Sequence, residues 1–354
     1  AIRFVRRDDW TGEHRAWLEQ YFFTEIVPVL SPLTLDPTRP FPRILNKSLN
    51  FIVSLDGRDA FGRPCHRAIV QAPRELPRLI RLPTRDGRGS ADFVFLSSVI
   101  HAFVDKLFTG MQINGCYQFR VTRNSDLFVD DEEGDLMTAL EGELLESRYG
   151  AAVRLETAHD CPEELADYLL EQFELTRSDL YRVPGPVNLN RLLAVYDLVD
   201  RPELKYPPFI PSVPKSLAKM NIFEAVAKQD ILLHHPYESF APVIDFIYRA
   251  ANDPAVLAIK QTLYRTTPDS MLAESLMSAA RAGKEVTVLI ELRARFDEAA
   301  NIELASKLQE AGAHVVYGVV GYKTHCKMAL VVRREGGRLR RYVHLGTGNY
   351  HRSE

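Results

Sequence analysis

A chain of 354 residues, 46% hydrophobic and 26% charged, has the apolar content for a full core and the length for two domains, which excludes a disordered polypeptide. Its formal net charge of -3 excludes a globally basic nucleic-acid coat, so any polyanion would have to meet a local cluster of cations. Four scattered cysteines, Cys65, Cys116, Cys161 and Cys326, form no Cys-x-x-Cys pair and indicate neither a zinc site nor a disulfide framework.

In chain order, the opening residues Ala1-Ile-Arg-Phe-Val-Arg-Arg7 lack the apolar run of a signal peptide, and no later stretch reaches the length of a membrane span. With the cysteine usage this predicts a cytoplasmic protein. Residues 10–30 carry apolar side chains at helical spacing; Trp10 and Trp17, seven apart, read as core positions and not as a base-stacking platform. Short β-like runs follow at 51–55, 67–71 and 117–121. Residues 131–149 and 161–175 read as amphipathic helices, the second with acidic residues in its first turn, where the helix dipole favours them. The pattern is α+β, and nothing in it names a reaction. Five prolines in the thirteen residues from Pro202 to Pro214 then forbid helix and leave an extended connector. It predicts a first domain over 1–212 and a second over 213–354.

Past the connector the pattern is regular. Ser239 is placed to cap a helix running through Val243, Ile244, Ile247 and Tyr248 to Ala251, and 256–264 reads as a strand. A helix from Ser270 stops at Gly283, 286–292 is a strand, Asp297 opens a helix that stops at Gly312, and 314–320 is a third strand. This alternation predicts right-handed crossovers and a largely parallel sheet, with ligands beyond the carboxyl ends of its strands. Arg265 follows the first strand, Arg293 and Arg295 the second, and Lys323 the third. Next comes a hairpin whose two apolar runs are separated by Glu335-Gly336-Gly337. His325 and Lys327, two apart, are expected to share one strand face, and His344 lies on the return strand before Gly346-Thr-Gly-Asn349.

A neutral imidazole is a good nucleophile toward phosphorus, and a lysine beside it neutralises phosphoryl oxygens. Neither Gly-x-x-x-x-Gly-Lys-Ser/Thr nor Gly-x-Gly-x-x-Gly occurs, so phosphate would be held by arginine and lysine, with backbone amides near Asn349 as added donors. One His-x-Lys is ordinary, and any single strand-end arginine is most simply a solubilising group. Their coincidence is what points to phosphoryl chemistry. His234 and His235, beside Pro236 and without ligands at helical spacing, read as structural; His14, His66, His101 and His159 carry no signal.

Leu257-Ala-Ile-Lys260, Leu263-Tyr-Arg265, Glu291-Leu-Arg-Ala-Arg-Phe-Asp297, His325-x-Lys327 and His344-x-Gly-Thr-Gly-Asn349 together resemble, in order and spacing, the bacterial polyphosphate kinases that make long-chain polyphosphate from ATP. The resemblance is dense from about Asn221 onward and looser before the connector. It implies an α+β middle domain followed by a phospholipase D-like α/β domain truncated at its C-terminus. Both would belong to a four-domain enzyme whose amino-terminal helical domain contacts the nucleotide base and whose second phospholipase D-like domain closes the active-site tunnel. The start at Ala1 and the stop at Glu354 agree with an internal fragment, expected to be inactive alone.

By the same resemblance His325 matches the phosphorylated histidine and His344 the second essential one. Arg265 and Arg295 match positions associated with Mg²⁺. A guanidinium has no lone pair to give, so their contact with the ion is expected to be indirect. The wider phospholipase D pattern places aspartate seven residues after the histidine, where this chain has Val332. The implied activity is reversible transfer of the ATP γ-phosphate to inorganic polyphosphate through phosphohistidine. ATP, ADP and polyphosphate would be its partners, with no obligatory nucleic acid, and the intact enzyme would be a homo-oligomer. The role of His344, as acid, base or hydrogen-bonding group, stays open. Two alternatives stand beside this: a phospholipase D-like phosphodiesterase or nuclease, and a non-catalytic polyanion-binding module.

Overall fold

The computed structural model describes residues 2–36, 38–59, 62–83, 91–124, 150–217, 220–266, 269–292, 297–318 and 322–350. The helix expected over 131–149, and Arg293 and Arg295, lie outside the described residues. Those described form two compact units that part between Lys205 and Tyr206. Among them no helix is long and apolar enough to cross a membrane.

In the first unit the strands are β1 (Ile2–Phe4), β2 (Ser31–Thr34), β3 (Leu49–Arg58), β4 (Pro64–Ala72), β5 (Leu79–Arg81), β6 (Ala91–Phe95), β7 (Gln112–Arg123), β8 (Ala152–Ala158) and β9 (Leu180–Val183). Six of them form a sheet in the order β2-β4-β3-β7-β8-β9, and β1-β6-β5 form a smaller one. Alternation along β3 divides its side chains between two cores. Phe51, Val53 and Leu55 pack with Leu18, Phe22 and the helix Leu96–Phe103, while Ile52 joins Phe119, Val121 and the helix Glu163–Gln172. Burying both faces fits the three successive apolar residues Phe51, Ile52 and Val53 in β3. Trp10 and Trp17 are partly buried against the first of these cores.

The second unit contains β10 (Val256–Leu263), β11 (Glu285–Ile290), β12 (His314–Tyr317), β13 (Lys327–Glu335) and β14 (Arg338–Gly346), in the order β12-β11-β10-β13-β14. The sheet is mixed, which corrects the expectation of a largely parallel one. β10, β11 and β12 are parallel, but β13 runs antiparallel to β10 and β14 antiparallel to β13. For the β13–β14 pair the reason is the connection. Gly336 and Gly337 take φ of +52° and +79°, a left-handed pair that closes a tight turn, and so short a link joins only antiparallel strands.

Ile259, Leu263, Val288, Ile290, Ala329, Val331 and Tyr342 point from this sheet into one core with the helices Ala241–Asn252, Met271–Arg281 and Glu298–Glu310. Each fully buried aliphatic side chain there contributes about 1.5–3 kcal/mol relative to exposure. The helix ends follow from local chemistry. Ser239 Oγ accepts from Ala241 N–H at 3.1 Å and Ser270 Oγ from Ala273 N–H at 3.2 Å, while Gly283 and Gly312 follow the second and third of these helices with φ of +81° and +93°.

Candidate active site

The strand directions gather chemistry on one edge of the five-stranded sheet. β10 and β12 end there, β13 begins there, and β14 returns there, so Arg265, Lys323, His325, Lys327 and the turn holding Asn349 all lie at that edge. Arg265 is exposed and pairs through Nε with Asp297 Oδ2 at 3.0 Å. Lys323 is exposed, and Asn349 is half-buried in the turn after β14.

His325 and Lys327 meet differently from the expected shared strand face. His325 precedes β13 and is exposed, whereas Lys327 is the first residue of the strand and only 5% exposed. Strand alternation therefore does not align them, because the strand begins too late. Lys327 Nζ instead donates to the carbonyl of His325 at 2.7 Å and sits 5.2 Å from the centre of the Tyr264 ring. The His325 ring meets the same tyrosine edge-on at 5.8 Å, and the Arg265 guanidinium lies 5.8 Å from it. Tyr264 thus joins three of the expected site residues. Its π face stabilises cations without neutralising them. The start of β13 is clamped to β10 by Thr262, whose hydroxyl donates to Cys326 O at 2.7 Å and accepts from Met328 N–H at 2.9 Å.

His344 lies deeper. It pairs with Ala329, which pairs with Gln261, so the three form one row across β14, β13 and β10. His344 Nδ1 shares a 2.8 Å hydrogen bond with the hydroxyl of Tyr350, itself 4% exposed. Burial drives the His344 pKa down to about 4, with nearby His235 adding to the effect, so the ring is neutral near pH 7. Burial also pushes the Tyr350 phenol up, keeping it protonated. Gly346 makes room for this arrangement. A Cβ there would stand 3.2 Å from His344 Cε1 and 3.7 Å from Lys327 Cβ, which shows how closely both residues approach that glycine.

His235 Nδ1 bonds to Glu238 O at 2.8 Å and its ring packs on Phe240, while the His234 ring packs on Tyr237. Sequence reasoning missed Tyr264, Tyr350, Glu291 and Asn301. Tyr264 and Glu291 stood inside quoted motifs without a role. Tyr350, an aromatic directly after a glycine turn, was the available signal for the third; a buried asparagine on a helix gives none.

An exposed imidazole among cations lies here beyond the carboxyl ends of parallel strands, the edge at which such sheets bind ligands. Comparison with known proteins gives the class. Residues 13–195 match the family model of the polyphosphate kinase middle domain, and residues 221–354 that of the polyphosphate kinase C-terminal domain 1. The chain belongs to the polyphosphate kinase family.

It is 59% identical over 352 residues to a polyphosphate kinase of Pseudomonas putida, covering 99% of this chain and 48% of that protein. It is also 59% identical over 353 residues to one of Neisseria gonorrhoeae, covering 99% and 52%. The crystal structure of polyphosphate kinase from Porphyromonas gingivalis superposes with a TM-score of 0.77 at 27% identity, over 98% of this chain and 50% of that one. The chain spans about half the length of the curated relatives it matches.

Proposed function

We propose that residues 213–354 are a phospholipase D-like α/β domain that carries the phosphoryl-accepting histidine of a polyphosphate kinase, and residues 1–212 its middle domain. The observation that carries this reading is Lys327. It is a nearly buried cation held by a carbonyl and an aromatic ring, with no carboxylate against it among the described residues, beside the exposed ring of His325. A buried cation left without a counter-ion is costly unless an anion completes it.

In the reaction, a ring nitrogen of neutral His325 attacks the γ-phosphorus of ATP in line, the bond to the β-phosphate oxygen breaks, and ADP leaves with the electron pair. A terminal oxygen of polyphosphate then attacks the phosphohistidine and frees the imidazole, lengthening the chain by one phosphate. Lys327, Lys323 and Arg265 disperse charge on the transferring oxygens, with Arg293 and Arg295 given the same task by sequence. A phosphoramidate retains transfer potential comparable to that of ATP, so the sequence runs in both directions.

Mg²⁺ prefers oxygen donors and in kinases takes one or two carboxylates together with substrate phosphates. Among the described residues no group of three or more His, Cys, Asp or Glu side chains gathers; at this edge Glu291 is buried against Thr324 N–H, and the solvent-accessible carboxylate is Asp297, held by Arg265. That donor set fits an ion carried on the nucleotide, with Asp297 as its protein contact and Arg265 acting on the phosphates and on Asp297. When bound, the ion would neutralise and orient the phosphate oxygens. His344, neutral and bonded to Tyr350, is a positioning group; a ring that takes a proton only near pH 4 is a poor general acid at neutral pH.

The test is to incubate the native full-length protein with γ-labelled ATP, denature it, and map the base-stable, acid-labile label. Phosphate on His325 is expected. Turnover without any labelled histidine, or label on another residue, overturns the assignment, and release of an alcohol or nucleotide in place of ADP identifies a phosphodiesterase.

A further inference from the structure

The loop that carries His325 is pinned by a buried polar set. Glu291, directly after β11, is 4% exposed, and its Oε2 accepts the backbone N–H of Thr324, the residue before His325, at 2.7 Å. Asn301, 1% exposed on the helix Glu298–Glu310, donates through Nδ2 to the carbonyls of Tyr264 and Glu291, both at 2.8 Å. Gly318 leaves β12 with φ of +60° and donates its N–H to Ile290 O at 2.9 Å, and a Cβ on it would lie 3.9 Å from Glu291 Oε2. The ends of β10, β11 and β12 and the loop before β13 therefore meet around one carboxylate and one amide.

Residues 323–326 belong to no helix or strand, so no ladder of hydrogen bonds fixes their backbone. Burying a carboxylate is costly, and an aliphatic residue would end β11 without that cost. Among its contacts the carboxylate supplies an acceptor aimed at a backbone N–H one residue from the imidazole. We propose that Glu291 is a positioning residue for phosphorylation of His325, acting as the hydrogen-bond acceptor that fixes Thr324 and thereby the placement of the attacking ring. This rests on His325 being the phosphoryl acceptor. In-line attack is steep in distance, and a displacement of about 1 Å can cost on the order of 10²-fold in rate.

Two conservative variants of the native full-length protein separate reach from charge. Glu291→Gln keeps an acceptor oxygen at the same distance and loses the charge; Glu291→Asp keeps the charge and withdraws the oxygen by one methylene. With labelled ATP, the single-turnover rate of His325 phosphorylation should stay within roughly 3-fold of native in Glu291→Gln and fall by roughly 10- to 100-fold in Glu291→Asp. In Glu291→Asp the loss should appear in kcat, with KM for ATP within about 2-fold and thermal stability near native. A merely structural role would leave the single-turnover rate of folded protein unchanged. The reverse pattern, Gln impaired and Asp active, shows that the charge is required and overturns the proposal, as does equal behaviour of the two variants. Label on a residue other than His325 in the native protein refutes the site assignment itself, a failure separate from this one.

Discussion

The two ends of the β13–β14 hairpin use charge in opposite ways. At the turn end Glu335 accepts from the Tyr342 hydroxyl and from Arg333, both at 2.6 Å, and from Arg340 at 3.1 Å, while Arg333 also bonds Asp253 at 2.7 Å. The Tyr342 hydroxyl and Arg333 hold the Glu335 carboxyl below its usual range, and Asp253 and Glu335 raise the Arg333 guanidinium. Charge there is consumed within the fold. At the other end Lys327 is nearly buried against a carbonyl and a tyrosine ring, and Lys323 and His325 are exposed. Among the described residues no carboxylate pairs with Lys327, so its charge is held in place without being neutralised, which is what a site for a polyanion requires.

The hardest test of this contrast is to remove its reactive group. His325→Ala in the native full-length protein should abolish both phosphoenzyme labelling and polyphosphate synthesis, since it removes the ring nitrogen assigned to hold the intermediate. Next in size is Lys327→Met, which keeps most of the buried volume and removes the cation. It should lower turnover by roughly 10²- to 10³-fold, as loss of one electrostatic stabiliser commonly does, while the protein stays folded. If Lys327→Met kept native turnover, the un-neutralised cation would be incidental and the contrast would collapse.

His344 sharpens the comparison through pH. Its folded pKa, about 4, lies below the ordinary 6.5, so as pH falls the unfolded chain takes up the proton first. The stability due to its burial is therefore complete above pH 6.5 and is lost as pH falls from 6.5 toward about 4. Thermal scans at stepped pH should show the midpoint dropping by a few degrees over that window, and His344→Phe should flatten the drop. The kcat profile should carry no limb from His344 between about pH 5 and 8. A limb near pH 6.5 that vanishes in His344→Gln would make this ring an acid or base after all.

The turn end answers to stability alone. Glu335→Ala removes the acceptor for Tyr342, Arg333 and Arg340 and should cost about 1–2 kcal/mol in denaturant unfolding, with turnover of the folded protein unchanged.

Much of this was legible in the sequence where local chemistry decides. Ser270, Gly283, Gly312 and the Gly336-Gly337 turn announced their elements, because caps and left-handed turns depend on one or two residues. The sheet was expected to be largely parallel and is mixed, since alternation of strands and helices gives the direction of β10, β11 and β12 but says nothing about how a hairpin joins them. The candidate residues His325, Lys327 and Arg265 could be proposed because cations at strand ends leave a mark in sequence. The groups that hold them could not. Tyr264 acts through its ring face, Glu291 through a backbone N–H thirty-three positions away and Asn301 through two carbonyls, and none of these contacts has a characteristic spacing. The depth of His344 was likewise invisible, because it follows from the register that sets it opposite Ala329.

The smallest expected effect is also the most selective. Gly346 stands opposite Lys327 in the hairpin, and a Cβ there would come within 3.2 Å of His344 Cε1, closer than ordinary van der Waals contact. Lys327 Cβ, at 3.7 Å, would not be disturbed, and the backbone conformation of Gly346 raises no left-handed strain. Gly346→Ala should therefore press on the His344 ring and its bond to Tyr350 while leaving Lys327 and His325 in place. If His344 is a positioning group, turnover should fall by only roughly 2- to 10-fold, with the phosphohistidine still formed in full amount. Full activity in Gly346→Ala would mean that the His344 ring tolerates displacement and that its hydrogen bond to Tyr350 matters to the fold and not to the reaction. Loss of the phosphoenzyme itself would mean that His344 acts on the first transfer, and the division between an exposed acceptor and a buried support would have to be redrawn.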